Sequence, residues 1–476
     1  MSTPNTSTPN TSTPPPKIIP IDTSSLGDRS YLAHDGQVAV VIDPQRDIDR
    51  VLDLAAEAGV QITQVFETHI HNDYLTGGLA LAQATGATYH VNAADDVAYD
   101  RTPINGGDVV QVSTTMRVRA IATPGHTYTH LSYALEAPKA SETGSEFEPV
   151  GVFTGGSLLF GATGRPDLMG EEHTDDLVHQ QFASAHRLAD ELPEHTHVLP
   201  THGFGSFCSA GSTGDTTEST IGAEKRQNPA LTQDEDRWVA DTLAGLDEYP
   251  AYYAHMGAGN SQGPSAPDLS APESADKATL AARIADGEWV VDLRTRTAFA
   301  SGHVSGSLNF GLDGQFATYL GWLIPWGTAL TLLGDSPQQV ADAQRELVRI
   351  GVDRLEGAAT GAPEEWTDNP LGSFDRATFA DLVQVQHHRQ VTVLDVRRSS
   401  EYDDGHIDGA VNIPLHELLE RVDQIPAGEA WVHCASGYRA SIGASVLAAH
   451  GVPVVAVDDS FDENAAASGL TITGVA

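Results

Sequence analysis

Cysteine is almost absent from this chain: Cys208 and Cys434 are the only two in 476 residues. A disulfide framework is therefore excluded, and in a reducing compartment both are expected as free thiols. Lysine is scarce as well, and 65 acidic residues against 26 basic ones leave a net charge of −39. A field of that sign repels nucleic acid and anionic membranes, so neither is an expected partner. A solvated acidic surface suited to a salty cytoplasm and a compositional bias of the genome account for the charge equally well. Nothing approaches the ~18 apolar residues of a membrane span. Residues 1–16 repeat Ser, Thr, Pro and Asn with neither a basic start nor an apolar run. They are expected as a disordered tail, not a signal peptide, and a cytoplasmic location is expected.

What is present exceeds one core and predicts about three domains. Residues 17–44 alternate apolar and polar around Asp35-Gly36, a hairpin signal. A helix over 47–58, a strand over 62–67, a helix over 75–86 and a strand over 88–91 set a βαβ rhythm. Further strands are expected over 117–123 and 150–154. This first domain is expected over 17–235, followed by a helical segment and linker over 236–273, Gly-, Ser- and Pro-rich from 257. The remainder is duplicated. Asp292, Arg294, Gly302, His303, Gly306 and Asn309 recur at a constant shift of 103 as Asp395, Arg397, Gly405, His406, Gly409 and Asn412. Two α/β domains, 274–370 and 371–476, are expected.

Two constellations carry chemistry. His69, His71 and Asp73 alternate just past a strand, His126 lies in Thr-Pro-Gly-His-Thr, and His202 lies in Leu-Pro-Thr-His-Gly. Imidazoles and a carboxylate in strand-end loops are candidate metal ligands. The second constellation is Cys434-Ala435-Ser436-Gly437-Tyr438-Arg439, between the apolar strand ending at His433 and a helix. A cysteine ringed by backbone N–H groups at a helix start is a stabilised thiolate, here a sulfur carrier, with Arg439 adding charge for anionic donors or acceptors. In the first copy Gly334, Pro337 and Gln339 fall where Cys434, Gly437 and Arg439 stand, so that copy is expected to be inactive and structural. Its apolar insert, Tyr319 to Trp326, is expected to pack on another domain or a second copy, and a homo-oligomer is expected.

The order Thr-His-x-His-x-Asp, Thr-Pro-Gly-His-Thr, Phe-Thr-Gly, Gly-Arg-Pro-Asp-Leu and a late His-Gly resembles the metallo-β-lactamase fold, an αββα sandwich. Residues 164–168 and the duplicated C-terminal units resemble persulfide dioxygenases fused to rhodanese domains, over nearly all of 17–476. That resemblance implies one Fe(II) held by two histidines, mapping onto His69 and His126, and an aspartate whose place is taken by Gly156. Zinc is the alternative metal. Tyr74 stands where two-metal members have histidine, which favours a single ion. His71 or water would fill the vacated position, and Gly156→Asp is expected to raise iron retention. Arg165 would contact an anionic thiol cosubstrate. Cys208 is either an inert buried thiol or one that lies near the iron and handles sulfur. The implied activity is O2-dependent oxidation of a low-molecular-weight thiol persulfide to sulfite, with Cys434 transferring sulfane sulfur to give thiosulfate. The alternatives are a zinc-dependent thioester hydrolase of the glyoxalase II kind fused to a rhodanese, and a metal-free scaffold that presents an active rhodanese.

Overall fold

The computed structural model describes residues 14–139, 146–211 and 216–474. The tail expected over 1–16 lies, through residue 13, outside the described residues. The chain divides into two compact units, Met1–Leu246 with Tyr253–Ala266, and Asp247–Tyr252 with Pro267–Ala476.

The first unit holds two six-stranded sheets, each in chain order. One contains Lys17–Thr23, Asp28–His34, Val38–Ile42, Gln61–Phe66, Thr88–Asn92 and Thr102–Ile104. The other contains Val109–Gln111, Arg117–Ala122, Leu131–Pro138, Phe147–Gly155, His197–Pro200 and Ser219–Thr220. Successive residues of a strand face opposite sides, and here both sides are buried. Tyr31, Val40, Ile42 and Phe66 of the first sheet meet Val118, Tyr133 and Phe153 of the second. Their neighbours Leu32, Val41 and Val65 pack outward on Val51 and Ala55 of the helix Asp49–Ala58 and on Leu81 of Gly78–Thr85. On the far side, Ala134, Val152 and Val198 pack on Val178, Ala185 and Leu188 of the helix Glu171–Glu191 and on Trp238. The result is an αββα sandwich.

The strand Leu131–Pro138 escapes sequence reading because Ser132 and Glu136 interrupt its apolar run. Both are buried but satisfied: Glu136 accepts from Arg117 and Arg119 at 2.6 and 2.8 Å, and Ser132 pairs with Thr123 at 2.9 Å. A second correction concerns residues 257–262, expected as linker. They form the last part of the helix Tyr253–Gln262, which packs in the first unit.

The second unit contains two parallel sheets. The first is ordered Leu308–Asn309, Trp289–Asp292, Leu330–Gly334, Leu355–Thr360; the second Asp375–Ala377, Val454–Val457, Ala430–His433, Thr392–Asp395, Val411–Asn412. The duplicated residues have one structural job. Arg294 donates through Nε and Nη2 to Asp292 and through Nη2 to the Gly302 carbonyl; Arg397 does the same with Asp395 and Gly405. Asn309 and Asn412 each donate to the carbonyls of both motif residues. His303 and His406 stack on Phe299 and Tyr402 and bond to those residues' carbonyl oxygens. The repeated motif is thus a buried clamp between strand and turn, not a catalytic signature. The insert forms the helix Phe316–Leu323, with Trp322 stacked on His416 of the other half, while Trp326 stays 46% exposed. Among the described residues no helix is long and apolar enough to cross a membrane.

Removing one partner of a buried pair leaves the other charge uncompensated, at a cost of about 3–5 kcal/mol. Arg397→Ala is therefore expected to lower the stability of the second unit by that amount in urea unfolding followed by tryptophan fluorescence. Arg397→Lys should recover only part, since an ammonium cannot present the planar fork that Asp395 accepts.

Candidate functional site

Three strand-end loops deliver four histidines of the first unit to one place. His69 and His71 follow the strand Gln61–Phe66, His126 follows Arg117–Ala122, and His202 follows His197–Pro200. The Nε2 atoms of His69 and His202 lie 3.3 Å apart. The ring of His126 sits 4.8 Å from that of His69 and 5.2 Å from that of His202, centroid to centroid. All four histidines and Asp73 are at most 1% exposed.

Each ring is oriented by a partner on its other nitrogen. His126 Nδ1 donates to the Arg165 carbonyl at 2.8 Å, His69 Nδ1 lies 2.9 Å from Thr68 Oγ1, and His202 Nδ1 lies 3.1 Å from both Asp28 and Asp73. His71 turns Nε2 toward Asp43 and Glu67, both at 3.3 Å. What remains is a set of buried lone pairs without hydrogen-bond partners: His126 Nε2, His71 Nδ1 and Asp73 Oδ1. Buried polar atoms are rarely left so. Together with the convergent Nε2 atoms of His69 and His202 they fit a divalent metal ion, each ligand backed by an orienting partner.

The charges are segregated. Burial lowers His126 to about 3, helped by the charge of His202, and burial with the neighbouring imidazoles drives His69 well down. Burial also opposes charge on His71 and His202. There the carboxylates win: Asp43 and Glu67 raise His71 to about 9, and Asp73 and Asp28 raise His202 to about 10. Asp43 is the hub beneath. It is fully buried at a positive φ of 50° and accepts from Thr68 N at 2.7 Å, Thr68 Oγ1 at 2.8 Å and Thr201 Oγ1 at 2.5 Å.

Several expected residues take places the sequence did not foretell. Tyr74 is buried, stacks on His71 at 4.4 Å, and its hydroxyl lies 3.1 Å from His71 Nε2. The fork of Arg165 is already engaged, Nε and Nη2 on Asp167 at 2.6 and 2.7 Å and Nη1 on the Phe207 carbonyl at 3.2 Å. Its carbonyl, not its charge, serves the centre. Cys208 is buried with His126 and His202, their potential donor atoms within 4.8 Å of one another. Burial, and then the charges of Asp73 and Asp28, push its thiol well up, so it stays protonated. Gly156 has no free space for the expected rescue. A Cβ there would stand 2.4 Å from His126 Cδ2 and 2.6 Å from Cγ, so the ring packs against bare backbone. His130, four residues after His126, was overlooked: its Nε2 accepts from Gly156 N at 3.1 Å and its Nδ1 meets Thr123 Oγ1 at 2.9 Å.

In the second unit Cys434 ends the strand Ala430–His433, and its Sγ accepts from Gly437 N at 3.1 Å. Gly437 has a φ of +94°, and a Cβ would meet Asp458 Oδ1 at 2.2 Å, so only glycine closes this loop onto the sulfur. Ser436 is exposed and Ala435 half-buried, lining the approach. Tyr438 starts the helix Tyr438–Ala449 and donates to the Gly311 carbonyl at 2.7 Å, across to the first half. Arg439 is not an open cation: Nη1 and Nη2 grip Glu401 at 2.6 and 2.7 Å. In the first copy the helix begins at Pro337, and the Gln339 amide bonds Asp335 N and the Leu293 carbonyl, filling the loop.

A rhodanese-like domain model matches residues 378–467. Hydroxyacylglutathione hydrolase of Polaromonas sp. (strain JS666 / ATCC BAA-500) is 31% identical over 168 residues, which are 35% of this chain and 57% of that protein. The enzyme of that name from Synechococcus sp. (strain JA-3-3Ab) is 28% identical over 45% of this chain and 88% of its own length. The crystal structure of a metallo-β-lactamase from Staphylococcus aureus subsp. aureus COL superposes with a TM-score of 0.63 at 27% identity, covering 72% of this chain and 98% of that one. The first of these relatives is thus spanned over little more than half its length. The chain joins a unit of the metallo-β-lactamase fold to a rhodanese-like domain.

Because the His126 ring occupies the space beside Gly156, Gly156→Asp is expected to displace a ligand before it can supply one. Metal content after purification, measured by plasma emission spectrometry, should fall relative to wild type. A rise would show that the ring can yield its place.

Proposed function

We propose that the chain is a persulfide dioxygenase–sulfurtransferase acting on a low-molecular-weight thiol persulfide. The observation that carries this reading is Tyr74, a buried residue without an imidazole to offer a second ion, its hydroxyl 3.1 Å from His71 Nε2. One metal suits thiol oxidation better than the two-metal activation of water. Bound at the histidine centre, a single Fe(II) would supply O2 activation and a positive charge for a persulfide sulfur. His69, His126, His202 and the Nδ1 of His71 are the residues that would hold it. Burial of these side chains excludes bulk water, which guards the reactive sulfur from side reactions. Cys208 lies beside His126 and His202 as a protonated thiol, too weak a nucleophile for sulfur exchange, so no step falls to it. In the overall balance the outer sulfur is oxidised to sulfite at the expense of O2, water supplies the third oxygen, and the parent thiol leaves.

Cys434 performs the second half. Its thiolate, steadied by the Gly437 N–H, takes the outer sulfur of a persulfide and releases the thiol. Sulfite then attacks that sulfane sulfur and expels the Cys434 thiolate, giving thiosulfate. Carrying both centres on one chain raises the concentration of sulfite available to Cys434.

The names of the sequence relatives favour a second reading, thioester hydrolysis by a metal-activated water. Metal analysis separates the two. Protein purified without air should contain one iron per chain and consume O2 with a defined small persulfide. Zinc in its place, with thioester cleavage and no O2 uptake, would replace the dioxygenase with the hydrolase. Cys434→Ser should abolish thiosulfate–cyanide sulfurtransfer while leaving O2 uptake largely intact; full transferase turnover in that variant would remove Cys434 as the carrier.

A further inference from the structure

The segment 67–77, which carries His69, His71 and Asp73, has almost no regular secondary structure. Its backbone groups are buried and need partners from elsewhere. One side chain supplies three. Asn260 donates through Nδ2 to the carbonyls of His71 and Tyr74 at 2.8 Å each, and its Oδ1 accepts from Thr76 N at 2.8 Å. Asn260 is 1% exposed and lies 184 to 189 residues further along the chain.

The helix that bears it, Tyr253–Gln262, is shaped for this contact. Its buried residues Tyr253, Met256 and Asn260 recur at helical spacing on one face. A Cβ on Gly257 would stand 2.9 Å from Asn72 Oδ1, and one on Gly259 would stand 2.8 Å from Leu75 Cδ2. The two glycines let the helix backbone lie directly on the loop. Tyr253 also reaches the Cys208 thiol. The helix therefore touches the loop and the cysteine from one side, and none of its residues is a candidate ligand.

We infer that Asn260 is the positioning residue of the metal centre: by bridging the carbonyls of His71 and Tyr74 it fixes the loop in the form that aims His69, His71 and Asp73 together. The inference rests on the reading of the histidine cluster as a metal site, but not on which metal or which reaction. Orienting partners outside the ligand set typically contribute about 10–100-fold in metal affinity. Asn260→Asp keeps the shape and the acceptor for Thr76 N, but turns a carboxylate oxygen onto the two carbonyls.

The test uses the full chain stripped of metal and titrated with cobalt(II) against a chelator. Wild type should bind one ion per chain with visible ligand-field bands. Asn260→Asp should bind at least tenfold more weakly with shifted bands, while the metal-free protein, destabilised by two carbonyls without their donor, still unfolds in one cooperative transition above the titration temperature. Asn260→Gln, too long to bridge the same atoms, should not restore affinity. Should Asn260→Asp fail to fold, Asn260→Ser decides, because its shorter side chain stays polar but cannot bridge the same two carbonyls. Wild-type affinity and bands in Asn260→Asp, or in Asn260→Ser where the first variant does not fold, overturn the inference. If wild type itself binds no cobalt, zinc or iron, the metal reading falls and takes the inference with it.

Discussion

The first unit is organised around the carboxylate of Asp43. It is wholly buried, held at a positive φ by its surroundings, and tied at once to Thr68, Thr201 and His71. Those three contacts come from two strand ends, and Asp43 itself sits just past a third, so one anion fixes the relative positions of the loops that carry His69, His71 and His202. The arrangement needs the charge. An uncompensated carboxylate this deep would be costly, and the His71 imidazolium beside it is the compensation. The same logic recurs with His202 between Asp28 and Asp73. Burial leaves His69 and His126 neutral, the protonation state a ligand requires, while a bound ion would take the place of the proton on His71 Nδ1 and on His202 Nε2.

Tight backbone packing is the second theme. Gly155, Gly156 and Gly164 leave no room for side chains around His126 and His130. In the second unit Gly437 closes the loop onto Cys434 and Gly314 lies against the Tyr438 ring. Both centres depend on places where a side chain would have to be absent, so their geometry is set by backbone and not by the flexible ends of long residues.

This explains what could be read from the sequence and what could not. The βαβ rhythm, the strand-end histidines and the Cys434 loop were legible because each rests on local pattern: alternation, strand-then-helix order, a motif within six residues. The duplicated Asp-x-Arg was legible too, although its purpose as a buried clamp was not. Asp43, Asn260 and His130 were missed because their roles exist only in three dimensions. Asp43 reads as a residue before a turn-forming proline, and Asn260 follows glycines that look like linker. Arg165 and Arg439 were read as open cations, since a guanidinium's partner two residues away, as Asp167 is, or 38 away, as Glu401 is, leaves no mark on its own motif.

The bond from Tyr438 to the Gly311 carbonyl also bears on how the chain is made. Synthesis runs from the N-terminus, and early segments fold as units before later ones emerge. The thiol-free half is therefore made before the Cys434 loop, and its Gly314 lies against the Tyr438 ring. In that sense the silent copy acts as a template held in cis. Its worth lies in the shape it lends to its successor's first helical turn, a contact that needs no cysteine of its own.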